Sequence, residues 1–202
     1  MAGRLAALVL VALLVPAETT LGQTGTAQSS VATNAPSMVS VYVASPLGFA
    51  ESTKLFMNQV LVPLIKRAGV NAINPWDANS QIDAQISAAK KIEDLNARRK
   101  AWAGVTQQLG RANAVAIENA DGIVAVLDGV DVDSGTASEI GYGAALGKWI
   151  IGYRGDFRRT GEDETSDVNL QVEYFIRKNG GVLVHNLREL EQELKTHRPR
   201  KN

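Results

Sequence analysis

The chain has 202 residues, 45% of them hydrophobic, with 21 Lys and Arg against 21 Asp and Glu. This suits one globular domain with a real core, and the charge balance excludes strong attraction to a nucleic acid polymer or an anionic membrane. There is no Cys, and the two His are His185 and His197, so disulfides, thiolate chemistry, cysteine metal sites and histidine clusters are excluded together; any metal would need carboxylates alone, and the expected partner is a small molecule.

Residues 1–37 read as a segment apart from the fold. Met1 to Arg4 is a short basic start, Leu5 to Val15 is an apolar run, and Val15-Pro16-Ala17 offers a signal-peptidase site. The run is too short to span a bilayer. Glu18 to Ser37, rich in Thr, Ser, Gln, Gly and Ala, reads as a flexible linker. The favoured expectation is an exported or periplasmic protein with its domain at 38–202. The competing one is a cytoplasmic protein starting at Met38, just before the first strand.

From there apolar strands alternate with helical stretches. Val39 to Ala44 reads as a buried strand ending at Ser45-Pro46-Leu47-Gly48. Glu51 to Ala68 carries Leu55, Phe56, Val60, Leu64 and Ile65 as a helical stripe stopped by Gly69. Val70 to Ile73 is a short strand, and after Asn74-Pro75-Trp76-Asp77 a polar helical region, Gln81 to Asn119, is expected to break near Gly104 or Gly110. Gly122 to Leu127 is a third strand, Ser138 to Leu146 a helix and Trp149 to Tyr153 a fourth strand. A charged loop, a helix over Asn169 to Lys178, a strand over Gly181 to Val184 and a helix over Leu187 to Thr196 complete the chain. The alternation predicts an α/β fold, a flavodoxin- or Rossmann-like three-layer sandwich with a five-stranded, mostly parallel sheet.

Such sheets collect ligands at the carboxyl ends of their strands, where three loops stand out. The Ser45 to Gly48 loop follows Tyr42 and is, on composition alone, a turn after a buried tyrosine. Trp76 has an aromatic face to offer a planar ligand, although a half-buried Trp after a Pro-ended strand is the commoner case. In the third loop Asp133 lies six residues before Glu139, with Ser134, Gly135 and Thr136 following it. A helix with an acid in its first turn accounts for Glu139, but leaves Asp133 and the Gly-Thr pair unexplained. The basic residues Lys90-Lys91 and Arg98 to Lys100 alternate with Glu93 and Asp94 and read as a solvated face. His185 reads as a packed residue.

Three segments together resemble a family. Ala120 to Gly129 followed by Asp133-Ser134-Gly135-Thr136-Ala137-Ser138-Glu139-Ile140-Gly141-Tyr142-Gly143 is similar to the signature of nucleoside 2-deoxyribosyltransferases. Val41 to Leu47 resembles that family's first strand and loop, and Val168-Asn169-Leu170 its late Asn-Leu motif. The resemblance implies that Glu139 is the nucleophile that attacks the anomeric carbon of a 2'-deoxyribonucleoside, forming a covalent deoxyribosyl-enzyme as the base leaves. It implies that Asp133 holds the sugar hydroxyls, that Tyr42 lies beside the nucleophile, and that Ser45 and Gly135 line the substrate. It further implies that Asn169 reaches the 5'-hydroxyl of a neighbouring subunit's substrate, hence a homo-oligomer. One position departs: Asn113 stands where the family carries an aspartate near the base, and an amide bonds a base edge but donates no acid proton.

The expected activity is transfer of a 2-deoxyribosyl group between purine or pyrimidine bases, with deoxyribonucleosides and free bases as partners and no cofactor or metal. A carboxylate is a competent nucleophile at such a carbon, and two displacements retain configuration. One alternative is an N-glycosidase of deoxynucleoside 5'-monophosphates, against which Asp133 argues because a carboxylate repels phosphate. The other is an inactive nucleoside- or nucleotide-binding protein.

Overall fold

A computed structural model describes residues 38–77 and 80–196; the leader and linker read from residues 1–37 lie outside the described residues. Five strands, β1 (Ser40–Ala44), β2 (Asn71–Ile73), β3 (Gly122–Val126), β4 (Trp149–Tyr153) and β5 (Val182–Val184), form one sheet in the order β2-β1-β3-β4-β5. Every neighbouring pair is parallel, with Tyr42 opposite Ile123 and Val126 opposite Tyr153. The sheet is therefore parallel throughout and doubly wound, with its switch point between β1 and β3. The central strands are near-continuous apolar runs because both their faces are covered.

Residue parity decides which helices each strand residue meets. Val41 and Val43, with Val124, Val126, Ile151 and Tyr153, pack with Leu61, Ile65, Leu190 and Leu194. These last come from the helical segment made of α1 (Glu51–Phe56), a π turn (Met57–Leu61) and α2 (Val62–Arg67), and from the C-terminal helix α7 (Leu187–Thr196). Tyr42 and Ala44, with Ile123, Ala125 and Ile150, pack with Ile117, Ile140, Val172 and Ile176. Those belong to α4 (Leu95–Asn119), α5 (Ser134–Ala145) and α6 (Leu170–Lys178). Helices cover both faces, giving the expected three layers. Helix α5 lies close to the sheet: a Cβ on Gly143 would fall 2.2 Å from Ile123 Cδ1.

Three local expectations are corrected. Leu55 is 59% exposed, and the buried stripe runs through Met57, Leu61, Leu64 and Ile65. The cause is Pro63, which offers no N–H and crowds the carbonyl four residues back; the π turn just before it, with Val62 N bonded to Met57 O, accommodates the ring. The break expected at Gly104 or Gly110 lies instead between α3 (Ser80–Lys90) and α4, where Asp94 Oδ1 accepts from Ala97 N at 2.7 Å and caps α4. Both glycines sit inside α4. Helix α5 starts at Ser134, four residues earlier than expected, because Asp133 is its N-cap.

Candidate active site

Tyr42 reaches the site because an even position of β1 points at α5. Its ring is fully buried and its hydroxyl donates to Glu139 Oε1 at 2.6 Å. Asn113 of α4 donates its Nδ2 to the same oxygen at 3.3 Å. One helix and one strand thus hold one oxygen of Glu139, which α5 carries, while Oε2 takes no hydrogen bond among the described residues. Burial is the main force raising the Glu139 pKa, the nearby Asp133 charge adds to it, and the bonds from Tyr42 and Asn113 oppose it; the net direction is upward. Burial first, then its bond to Glu139 and that residue's charge, keeps the Tyr42 hydroxyl protonated well beyond the usual range.

Asp133 Oδ2 accepts from Thr136 N at 3.0 Å and from Thr136 Oγ1 at 3.3 Å. The acid serving the helix start is therefore Asp133, not Glu139, and Thr136, buried beneath it, is the partner that explains the Gly-Thr pair. A Cβ on Gly135 would come within 3.1 Å of Asp133 Oδ2, so glycine leaves that carboxylate unobstructed.

The opposite wall grows from the β1 loop. Ser45 Oγ accepts from Leu47 N at 3.0 Å, capping a 3-10 turn over Pro46–Gly48. Its carbonyl accepts from Trp76 Nε1 at 2.9 Å. The Trp76 ring lies across Gly48, where a Cβ would fall 1.9 Å from Trp76 Cδ2, and meets Phe49 edge-on at 4.5 Å. Asn74 donates to Asp77 Oδ1 at 2.9 Å and accepts from Trp76 N at 3.2 Å, which sets the turn that carries Trp76.

Between these walls lies a cavity of about 630 Å³, the size of a small-molecule site. Ser45, Asn113, Asp133, Gly135 and Glu139 line it, with Tyr42 directly behind Glu139. Trp76, Ile82, Ile86 and Leu109 supply apolar wall, and Asp77 and Asp83 add two carboxylates. Among the described residues no Lys, Arg or His lines it. Asn169 is elsewhere: it caps α6 through Gln171 N at 3.0 Å and donates to Glu162. His185 is an exposed residue, not a packed one, with Nε2 3.5 Å from Asp167 Oδ2. Among the described residues no group of three or more His, Cys, Asp or Glu is placed to hold a metal ion.

Sequence reasoning did not single out Asp83 or Arg154, and it left Thr136 without a role. Arg154, with 2% of its surface exposed, donates from Nη1 to Leu127 O and from Nη2 to Gly129 O at 3.3 Å and Arg158 O at 2.6 Å. It ties the loop leading to Asp133 to the loop after β4. An arginine ending the apolar run of β4 is the signal that marks it.

A parallel doubly wound sheet whose switch-point cavity presents a tyrosine-bonded glutamate and a helix-capping aspartate defines an α/β protein built to hold a small polar ligand against carboxylates. The model of the family nucleoside 2-deoxyribosyltransferase matches residues 41–171, and the chain belongs to that family. Among solved structures, a conserved protein from Enterococcus faecalis V583 is 25% identical, with 79% of this chain and 98% of that chain covered and a TM-score of 0.56. A 2-deoxyribosyltransferase from Bacillus psychrosaccharolyticus is 20% identical over 76% of this chain and 90% of its own, at a TM-score of 0.44. A CMP N-glycosidase from Clostridium botulinum is 18% identical over 78% and 98%, at 0.46. No curated protein matches the chain.

Proposed function

We propose that the protein transfers the 2-deoxyribosyl group of a deoxyribonucleoside to a second base through a covalent intermediate on Glu139. The observation that carries this is the Glu139 carboxylate, with Oε1 held by Tyr42 and Asn113 and Oε2 uncommitted at the cavity wall. Oε2 attacks C1', the C1'–N bond breaks, and its electron pair leaves on the base, which takes up a proton. In the second half a nitrogen of the incoming base attacks C1', the C1'–Oε2 bond breaks, the carboxylate is restored and the incoming base gives up its proton. Two displacements retain the configuration. Tyr42 positions the nucleophile, and the free Oδ1 of Asp133 accepts from the sugar hydroxyls. The apolar wall formed by Trp76, Ile82 and Leu109 limits water in the wait for the second base.

A free 5'-hydroxyl fits this lining better than a phosphate. Among the described residues the cavity is lined by four carboxylates, Asp77, Asp83, Asp133 and Glu139, and by no cation, so a monophosphate would meet repulsion. The homo-oligomer belongs to the same proposal: Asn169, which is not among the residues lining its own chain's cavity, is followed on α6 by exposed Leu170 and Tyr174, apolar surface suited to a subunit contact. Export through the leader read in residues 1–37 is likewise proposed.

The test is incubation of the full chain with deoxyadenosine, with and without cytosine. Deoxycytidine formed only when cytosine is present supports transfer. Equal release of adenine in both reactions points to a hydrolase, preference for deoxyadenosine monophosphate to the glycosidase alternative, and binding without turnover to a binding protein.

A further inference from the structure

Arg154 is the largest fully buried side chain of the described residues, and the proposed reaction gives it no role. It follows directly on the apolar run of β4, and its hydrogen bonds all go to main-chain carbonyls. Nη1 donates to Leu127 O, Nη2 to Gly129 O at 3.3 Å and to Arg158 O at 2.6 Å, and Nε to Arg158 O at 3.2 Å. A buried guanidinium is costly unless its donors are satisfied, so an apolar residue would serve the core alone. What arginine adds is a rigid planar fork that fixes two loops at once. The first of these loops has little else to hold it. Among the described residues, bonds between main-chain groups stop at Leu127 N, which donates to Tyr153 O at 2.8 Å, and resume at Ala137 N, which donates to Asp133 O at 2.8 Å. In between, Gly129 turns the chain at a φ of 129°, Asp128 Oδ1 accepts from Asp156 N at 2.9 Å, and Val132 is buried.

Asp133 ends this loop. Its bonds from Thr136 fix Oδ2 against α5, but the direction in which the chain enters the cap, and with it the aim of Oδ1, depends on residues 127–132. On the transfer reading, on which this inference rests, Oδ1 accepts from a sugar hydroxyl. We propose that Arg154 is a positioning residue for this site: by clamping the loop after β3 to the loop after β4, it aims Asp133 at the sugar and so sets how strongly the protein prefers a nucleoside that carries that hydroxyl. A displacement of about 1 Å is enough to lose much of such a contact. The bland account, that Arg154 only closes the end of the sheet, covers the bond to Leu127 O and not the reach to Gly129 O beyond the strand.

The test measures kcat/KM on the full chain for deoxyadenosine, 2',3'-dideoxyadenosine and 2',5'-dideoxyadenosine, the last two each lacking one hydroxyl. The parent is expected to prefer deoxyadenosine to one of these analogues by about tenfold or more. Arg154→Lys, which keeps the charge and loses the fork, is expected to lose most of that preference, and to lower it no further when added to Asp133→Asn. A purely structural role would lower Tm and the turnover of all three nucleosides by one factor, leaving the preference unchanged. Gly129→Ala, which strains the same loop at its positive φ and leaves the arginine in place, is expected to lose the preference too, and it carries the test if Arg154→Lys does not fold. An unchanged preference in either folded variant overturns the inference. Calorimetry with the same three nucleosides separates it from the transferase reading. A parent that binds all three equally overturns the inference whatever the turnover. A binding preference lost in Arg154→Lys, with no turnover of any nucleoside by the parent, supports the inference and overturns the transferase reading instead.

Discussion

At the scale of single residues the site is governed by what burial does to one carboxylate. Burial and the Asp133 charge raise the Glu139 pKa while Tyr42 and Asn113 restrain it, and only the ionised form attacks carbon. Transfer should therefore fade on acidification at a higher pH than for an unperturbed glutamate. Removing each neighbour moves that limb in a defined direction. Tyr42→Phe deletes a bond that lowers the pKa and shifts the acid limb of kcat upward; Asp133→Asn deletes a charge that raises it and shifts the limb downward. Parallel shifts in the two pH–rate profiles would contradict the reading. The same physics predicts a stability effect of known sign. A carboxyl whose pKa is raised by folding destabilises the fold when ionised, fully above the folded pKa and not at all below the unfolded one. Glu139→Gln, which keeps an oxygen for Tyr42, should abolish transfer and raise Tm at neutral pH. That gain should disappear in acid, as thermal melts across pH would show.

At the scale of elements, strand residues were legible because their apolar runs are bounded by Gly, Pro and Asn, whereas the pairing of Tyr42 with Glu139 was implied by the family resemblance and not by the pattern of the residues. Helix boundaries were legible only where a cap is written plainly. Leu187–Thr196 starts and ends as read. The start of α5 was missed because Asp133, read as a ligand residue, also caps the helix, and the break before α4 was missed because Asp94 outweighs two tolerated glycines. That tolerance has a measurable consequence: Gly104 has nothing within 4 Å of a built Cβ, so Gly104→Ala should stabilise the protein by about 0.5–1 kcal/mol, readable in urea melts. Gly48 behaves oppositely, since a methyl there displaces Trp76 from the cavity wall. Trp76 is partly exposed, so Gly48→Ala should raise KM several-fold with little change in Tm. Asp83 was invisible in the sequence because nothing in a polar helix marks which of its acids faces a cavity formed by a distant element.

At the scale of the whole molecule, the sheet order places the β1 and β3 loops on either side of the switch point, and Arg154 fixes the second of them by binding carbonyls from two loops at once. The cavity so formed is lined by Glu139, Asp133 and Asn113 of one chain, whereas Asn169 is not among its lining residues. The proposed assembly accordingly predicts that Leu170→Asp, at the exposed start of α6, lowers the oligomeric state seen by light scattering and weakens nucleoside turnover without unfolding the chain. A monomeric parent of full activity would contradict the proposed role of Asn169.

The central claim is covalent chemistry at Glu139, and peptide mass spectrometry of the full chain, acid-quenched during turnover of deoxyadenosine, tests it most directly. The account predicts the added mass of one deoxyribosyl group on the peptide containing Glu139, absent from Glu139→Gln. Base exchange that proceeds at full rate with that peptide unmodified, or with the Glu139→Gln protein, would contradict it.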